Sequence, residues 1–172
     1  MSTFVVFGNL DRPFPRLSRA VIDNFEVLPK PVFIQTGPND IAFSGIEHEE
    51  SCHCFRYCSP SDFDQYIGEC EVIICHCGVG VINQALSGGK FPAVMPRSAV
   101  LAEHVDNHQI DYAEYYKNSG CYYMFNDASG LRSFIINETY ATKPRRSKLY
   151  NDDLLIADVQ GFILQSLKGV SG

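Results

Sequence analysis

The sequence lacks the features by which several functional classes are recognised. It contains no apolar run long enough to cross a membrane, and its N-terminus lacks the charged and then apolar pattern of a secretory signal. Positive charge is scarce, because 20 Asp and Glu against 14 Lys and Arg give a net charge of −6. A general nucleic-acid-binding protein usually needs a basic face. We therefore expect a soluble, cytoplasmic chain that binds no nucleic acid and reaches a membrane only through a partner.

The cysteines form no pattern that is typical of a metal site. Their number, seven, is odd in a chain without a secretory signal, so reduced thiols are expected rather than disulfides. Two groups that combine cysteine with histidine lack the Cys-x2-Cys spacing of common structural zinc sites: Cys52-His53-Cys54 with Cys58, and Cys75-His76-Cys77. Free cysteine is among the most buried residue types. No metal and no cofactor are predicted.

The length and the charge distribution suggest a simple domain organisation. A chain of 172 residues can bury a full core but is too short for two nucleotide-sugar lobes. We expect one domain over residues 1–138, a basic linker over 139–149, and a terminal amphipathic helix within 150–172 that packs on the domain or on a partner. The linker's cations could approach an acidic partner or anionic lipid, or could simply be solvated: Lys143, Arg145, Arg146 and Lys148.

Strand and helix patterns alternate along the chain. Strands are predicted near residues 3–7, 31–35, 53–57, 72–74 and 121–125, and another after Lys90. Helices are predicted with Pro13 in a first turn, after Ser59, from Val81 to Gly88, from a capping box of Asp106 and Gln109 to Gly120, over 127–137, and over 151–168. This alternation predicts an α/β fold with a Rossmann-like, mostly parallel sheet and helices on both faces.

The most informative stretch is a strand, a glycine loop and a helix start between residues 72 and 88. Val72, Ile73 and Ile74 read as a strand that is buried on both faces. The loop from Cys75 to Gly80 then lets backbone N–H groups approach a ligand, and the following helix dipole favours an anion. A phosphate or pyrophosphate is the expected ligand. The alternative is that these glycines make only a tight connection.

Three predicted loops follow strands and should line one crevice at the carboxyl edge of the sheet. They are Gly8-Asn9, His76 to Gly80, and Arg97 to Gln109. His76 is a candidate for catalysis or for a contact with donor phosphates, but it could equally be a hydrogen-bonded structural residue. Arg97 could neutralise a pyrophosphate or could be an ordinary surface arginine.

Motifs along nearly the whole chain resemble the donor-binding half of family-28 glycosyltransferases. The resemblance covers Phe4-Val-Val-Phe-Gly-Asn9, Arg12-Pro-Phe-x-Arg-Leu17, His76-Cys-Gly-Val-Gly80, Gly89-Lys90 and Asn107-His-Gln109. Within the family the chain is most similar to short, single-domain bacterial exopolysaccharide subunits, relatives of the catalytic subunit of the dolichol-linked N-acetylglucosaminyl transferase. The resemblance implies one half of a GT-B fold.

The resemblance also implies roles for individual residues. Donor contacts are expected at the glycine turns and at the loop helix: Gly8, Asn9, His76, Gly78, Val79, Gly80, Val81 and Gln84. Gln84 stands where long relatives have a glutamate that binds the ribose, and Val81 replaces a threonine or serine. Asn107 lies in a segment whose acidic or amide residues hold donor sugar hydroxyls in relatives, with Glu103 and Gln109 the strongest candidates. The alternative is that this segment is only a helix cap.

Three functions follow from these expectations. The first is the donor-binding subunit of a split inverting glycosyltransferase, which would use a UDP-sugar and a polyprenyl-diphosphate-linked acceptor with a membrane-anchored partner that holds the acceptor. The second is a non-catalytic subunit that stabilises such a partner, and Val81 and Gln84 favour it. The third, a sugar-nucleotide epimerase on the same architecture, is disfavoured because one lobe cannot enclose its substrate.

Overall fold

The structure is a computed structural model that describes residues 1–38, 43, 45–46 and 48–149. Its strands are β1 (Thr3–Val6), β2 (Val32–Gln35), β3 (Cys52–Phe55), β4 (Val72–His76), β5 (Ala93–Met95) and β6 (Tyr123–Met124). Its helices are α1 (Pro15–Asp23), α2 (Pro60–Glu69), α3 (Val79–Ser87), α4 (His108–Tyr116) and α5 (Ala128–Ile136), with short 3-10 turns at Phe25–Val27 and Thr139–Ala141. None of the helices in these ranges has the length and apolar character needed to cross a membrane.

The strands of the described ranges form one sheet in the order β3-β2-β1-β4-β5-β6, and every neighbouring pair is parallel. The chain builds outward from β1 to β3 and then returns to the other side of β1 with β4. Val6 pairs with Cys75 across that junction. Sheets of this order bind ligands beyond the carboxyl ends of the strands, where the winding direction reverses. The crevice is therefore expected beside the loops that follow β1 and β4.

Successive side chains of each strand enter two separate cores. Val5, Ile34 and Ile74 face α1 and α5 on one side of the sheet. Phe4 and Ile73 face α2, α3 and α4 on the other side. Because both faces are covered, β4 has no polar alternation, and its residues from Val72 to Cys75 are completely buried. The predicted α/β, Rossmann-like parallel sheet with helices on both faces is confirmed.

Several predicted helix starts were wrong by a few residues. The proline in the first turn of α1 is Pro15, and Pro13 precedes the helix. Helix α3 begins at Val79, two residues before the expected start. The capping box of α4 does not form, because Gln109 turns inward and its Oε1 accepts from the backbone N–H of Arg97 at 3.1 Å. The helix starts at His108 instead, without a side-chain cap.

The basic segment 139–149 lies against the domain in the structure. The backbone N–H of Arg145 donates to the carbonyl of Gly120 at 3.0 Å. Leu149 is completely buried, and its N–H donates to Oδ1 of Asn83 at 2.9 Å. The basic side chains of this segment remain exposed: Lys143, Arg145, Arg146 and Lys148. The predicted terminal helix within 150–172 lies outside the described residues, and the proposed division of the chain stays a prediction.

Candidate functional site

A cleft of about 570 Å³ opens at the switch point between β1 and β4. The loops after β1 and β4 form one wall, and the segment between β3 and α2 forms the other. The lining consists of Val6, Gly8, Asn9, Gln35, Tyr57, Cys58, Ser59, Pro60, Phe63, His76, Gly78, Gly80, Val81 and Gln84. Among these described residues there is no Lys, Arg, Asp or Glu. The cleft therefore presents amides, hydroxyls, a thiol, an imidazole and apolar surface, and its lining offers an anion dipoles rather than a Lys or Arg side chain.

The amino end of α3 supplies such a dipole. Its N-cap is Gly78, which has no side chain to accept from the first N–H groups of the helix. Helix α2, at the opposite wall, begins with the hydroxyl of Ser59 accepting from the N–H of Asp62 at 3.1 Å. The first N–H groups of a helix have no partner within the helix, so those of α3 remain available to a ligand in the cleft. Gly80 is exposed there, and a methyl group added to it would meet no atom within 4 Å.

The imidazole of His76 lies between two glycines, one from each loop. A methyl group at Gly8 would lie 2.7 Å from Cε1 of the ring, and one at Gly78 would overlap Nε2. Gly8 also has a φ of +78°, a conformation that glycine adopts without strain. Both glycines are therefore required by the histidine ring, independently of any ligand. The ring in turn fixes the spacing between the loops that line the cleft.

His76 is uncharged at neutral pH. Burial lowers the pKa of His76 to about 4, nearby Arg97 and His104 contribute in the same direction, and a contact with Val6 opposes them. That contact places Nδ1 3.4 Å from the Val6 carbonyl oxygen, so Nδ1 holds the proton and Nε2 is left as an acceptor. The ring can accept a hydrogen bond, but it offers a diphosphate no positive charge. With this pKa it is also a weak base at pH 7.

Arg97 lies behind the cleft rather than in it. The side chain is completely buried, and its guanidinium donates to three carbonyls: Phe7 at 2.9 Å, Arg12 at 3.0 Å and Glu103 at 3.1 Å. It also stacks over the ring of Phe14, 4.5 Å from the centroid. Burial lowers the pKa of Arg97 to about 10, so the group stays charged at neutral pH. In this arrangement Arg97 ties the loop after β1 to the loop after β5.

The predicted sugar-binding residues are likewise engaged within the protein. Glu103 is completely buried, and its carboxylate accepts from Nε of Arg16 at 3.0 Å and from the N–H of Ser98. Gln109 is buried against Arg97. Asn107 is exposed, but its Oδ1 accepts from the N–H of Ala99 at 3.0 Å. The structure thus does not bring these three residues into the lining of the cleft with the glycine loop.

The remaining predicted residues do lie at the cleft, apart from Val79 at the start of α3. Asn9 accepts from Nε2 of Gln35 at 3.2 Å, and Gln84 donates to Asp64 at 3.2 Å while remaining exposed. Val81 is buried in the apolar core beneath the loop. At this position the side chain therefore contributes to core packing and offers the cleft no hydroxyl.

The wall formed by the β3–α2 segment was missed by the sequence interpretation. Tyr57 is 55% exposed, and Ser59 and Phe63 complete this wall. Phe63 is held by an edge-to-face contact with Phe4, with ring centroids 5.2 Å apart. A signal was available, because a parallel strand predicted to end near Tyr57 places the next residues at the same edge as the other two loops.

Comparison with known proteins identifies the family. A model of the glycosyltransferase family 28 C-terminal domain matches residues 4–152. The chain belongs to this family. It is therefore a glycosyltransferase domain of the family 28 type, as its motifs predict. A search of curated protein sequences finds no match.

Solved structures of family 28 proteins and other glycosyltransferases share the fold. The glycotransferase of kitacinnamycin has a TM-score of 0.62 at 20% identity, over 82% of this chain and 35% of that one. ALG13 has a TM-score of 0.57 at 19% identity, over 83% of this chain and 88% of that one. Acinetobacter baumannii MurG has a TM-score of 0.60 at 15% identity, over 92% of this chain and 48% of that one. The chain thus spans about a third and about half of the two longer proteins, and most of ALG13.

Proposed function

We propose that this family 28 domain is the donor-binding subunit of a split inverting glycosyltransferase. It would bind a UDP-sugar and, with a membrane-anchored partner, transfer the sugar to a polyprenyl-diphosphate-linked acceptor in exopolysaccharide or capsule biosynthesis. The observation that supports this most is the uncapped, glycine-lined start of α3 at the switch point of the sheet. The N-terminus of a helix stabilises a diphosphate without any cationic side chain.

The shape of the cleft suits a nucleotide diphosphate. Its far wall has a half-exposed aromatic ring, Tyr57, on which a base can stack. The near wall has the amides of the glycine loop for the diphosphate, and Gln84 one turn further along α3 for the ribose. Its volume of about 570 Å³ falls within the range of small-molecule sites. Base, ribose and diphosphate would then run from one wall to the other.

A partner is supported by the apolar surface beside the cleft. Three side chains of the loop after β5 are exposed: Val100 by 85%, Leu101 by 54% and Val105 by 67%. This loop leaves the same edge of the sheet as the glycine loop. Apolar side chains that cluster on one loop commonly mark an interaction site. A second lobe over the cleft would cover them together with the bound donor.

Titration of the purified chain with UDP, GDP and pyrophosphate tests the donor assignment. We expect saturable binding of UDP by calorimetry. Gly80→Val should abolish that binding and leave the thermal unfolding midpoint close to that of the wild type, because the added side chain meets open space rather than protein. Gln84→Ala, a second variant at the same wall, should weaken UDP binding several-fold and leave pyrophosphate binding unchanged. Unaltered UDP binding by Gly80→Val would contradict the placement of the diphosphate.

A non-catalytic accessory subunit is the second candidate. It is favoured by the absence of a charged side chain from the described lining and by the burial of Val81 where a hydroxyl is expected. Failure to bind UDP, GDP or their sugars, even with the partner present, would favour this candidate over the first.

A further inference from the structure

A cluster of metal-ligating side chains lies on the loop between β5 and α4, outside the lining of the cleft. We propose that His104, Asp106 and His108 form a binding site for a transition-metal dication, with Zn²⁺ as the best fit. One ligand atom from each of the three residues lies within 4.8 Å of the other two. The expectation of no metal rested on the spacing of the cysteines, and His-x-Asp-x-His is a different pattern.

One separation within the cluster equals the spacing of two ligands in a tetrahedral site, and the other is a hydrogen bond that a bound ion would replace. Nδ1 of His104 lies 3.3 Å from Oδ1 of Asp106, and Nδ1 of His108 contacts the same oxygen. Ligands at about 2.0–2.1 Å from Zn²⁺ lie roughly 3.3–3.4 Å apart in a tetrahedron. The two imidazole rings are perpendicular, with centroids 4.5 Å apart. The three ligand atoms are close enough for one ion to bind them once side-chain rotation has replaced these hydrogen bonds.

Backbone contacts orient two of the ligands. The N–H of Asp106 donates to Nδ1 of His104 at 3.4 Å, a long bond that a bound ion would replace because this nitrogen has a single lone pair. The N–H of His108 donates to Oδ1 of Asp106 at 3.1 Å. The side chain of His104 is only 10% exposed, whereas those of Asp106 and His108 are 58% and 61% exposed. The cluster thus has one fixed ligand, two adjustable ligands and open access from solvent.

The chemistry of the ligands selects the class of ion. Two imidazole nitrogens and one carboxylate suit Zn²⁺ and its neighbours Co²⁺ and Ni²⁺, whereas Mg²⁺ and Ca²⁺ prefer oxygen ligands alone. Three protein ligands leave at least one position for water. The positive end of α4 and the guanidinium of Arg97, which bonds to the carbonyl of Glu103, both oppose a cation here. The negative charge of Asp106 must offset them, so a neutral oxygen ligand at this position would not be enough.

A bound ion would fix the loop that carries the exposed apolar side chains. His104 belongs to the loop, whereas His108 is the first residue of α4. One metal bound to both residues would restrain the segment that contains Val105. It would also fix the C-terminal end of the stretch that carries Val100 and Leu101. The metal would thereby order an apolar surface beside the cleft.

Metal titration of the untagged, chelator-treated chain tests this site. We expect one Zn²⁺ per chain by competition with a chromogenic chelator. Loss of ligands should cost at least the roughly 10–100-fold typical of outer-shell changes, so His104→Asn/His108→Asn should bind at least tenfold more weakly. Asp106→Asn, which keeps an oxygen but loses the charge, should also bind more weakly. His53→Asn, an exposed histidine on the opposite edge of the sheet, is the matched control and should bind as the wild type does.

Co²⁺ absorption and thermal unfolding separate this site from the cysteines. We expect the visible bands of Co²⁺ without the near-ultraviolet charge-transfer band of a thiolate ligand. Zn²⁺ should raise the unfolding midpoint of the wild type and of His53→Asn, but not that of the double variant, because only an ion bound to the native state stabilises it. Unchanged Zn²⁺ affinity in the double variant, a thiolate band, or no binding at micromolar Zn²⁺ would each overturn the proposal.

Discussion

At the scale of single residues, Arg97 has the largest completely buried side chain among the described residues. Its guanidinium joins the carbonyls of Phe7, Arg12 and Glu103, which belong to two different loops. A residue used in this way positions the crevice rather than contacting the ligand. Truncation would leave three carbonyls without this donor, two of them in buried bonds, and would leave Arg16 as the cation paired with Glu103.

We therefore expect Arg97→Ala to act on stability first. Leaving these carbonyls unpaired and a cavity in place of the guanidinium should lower the free energy of unfolding by about 3 kcal/mol or more. Urea denaturation followed by circular dichroism measures this loss. Arg12→Ala is the control, because only the backbone carbonyl of Arg12 is used. A fully stable Arg97→Ala protein that has lost UDP binding would instead return Arg97 to the role of a diphosphate ligand.

His76 makes stability depend on pH in a defined direction. Its pKa is about 4 in the folded state and near 6.5 when unfolded, so the unfolded chain binds more protons between these values. The contribution of His76 to the free energy of unfolding is fully present above pH 6.5 and is lost as the pH falls from 6.5 to 4. Allowing for partial exposure of the ring, we expect the free energy of unfolding to decrease by about 1 kcal/mol from pH 7 to pH 5 because of this residue.

Urea denaturation at pH 7 and pH 5 measures the His76 contribution. His76→Asn should remove most of it, whereas His53→Asn should leave it unchanged. Because His104 also has a pKa lowered by burial, His104→Asn gives the part that belongs to the loop after β5. An identical pH dependence in the wild type and His76→Asn would refute the assignment.

At the scale of elements, the parts of the site that could be predicted are those encoded locally. A short β-branched run, two glycines and a change to helical period identify β4, the loop and α3 without reference to any other segment. Gly8 could likewise be placed as a turn after β1. That His76 fills the space between Gly8 and Gly78 could not be predicted, because it depends on the alignment of β1 with β4.

The β5–α4 loop was less predictable because its contacts are distant in sequence. Glu103 and Gln109 were expected to face a sugar because the segment resembles one that holds donor sugar hydroxyls in relatives. Glu103 instead pairs with Arg16 of α1, 87 residues away, and Gln109 bonds to the backbone of Arg97. In the fold, the side-chain oxygen of Gln109 satisfies a buried backbone N–H, and this bond takes the place of the capping bond that the local pattern predicts. Tertiary contacts of this kind are absent from any window of sequence.

The basic segment after α5 provides a test at the scale of an element. Its side chains Lys143, Arg146 and Lys148 are exposed, and that of Arg145, which is also exposed, packs over Gly120. We expect the triple change of the first three to Glu to weaken binding to vesicles with anionic lipid by about a hundredfold or more, since each cation near such a surface contributes about 1 kcal/mol. Vesicle cosedimentation at low salt measures this.

Substitution is a sharper test than removal of this segment, because Leu149 is buried in the domain and its loss would disturb the core. The same three positions changed to Gln give the matched control for charge reversal, and binding should fall between the wild type and the Glu variant. Equal vesicle binding by all three proteins would eliminate lipid as the target and leave an acidic partner surface to be tested with the partner chain.

At the scale of the whole molecule, the described structure offers one side of a reaction site. Inverting transfer requires a base next to the acceptor hydroxyl and stabilisation of the leaving diphosphate, facing each other in a closed cleft. The glycine loop and the α3 dipole address the diphosphate. The described lining has no carboxylate, and its histidine has a pKa of about 4, so neither supplies an effective base at pH 7. These features support the proposal that the acceptor side belongs to another lobe.

We therefore predict that the purified 172-residue chain binds donor but transfers sugar at no useful rate. Holding the reactants in the correct geometry contributes roughly 7–11 kcal/mol to lowering a barrier, and an isolated donor lobe forgoes most of it. The measurement is product formation from labelled donor and lipid-linked acceptor, with the chain alone, the membrane-anchored partner alone, and both together. Transfer should require both, and Gly80→Val in the pair should abolish it.

Leu101→Glu should reduce transfer by the pair without changing UDP binding by the chain, because Leu101 lies on the exposed loop and outside the cleft lining. Rapid turnover by the single chain would refute the split-enzyme proposal and require a base on this lobe, with His76, Glu103 and His108 the residues to substitute first.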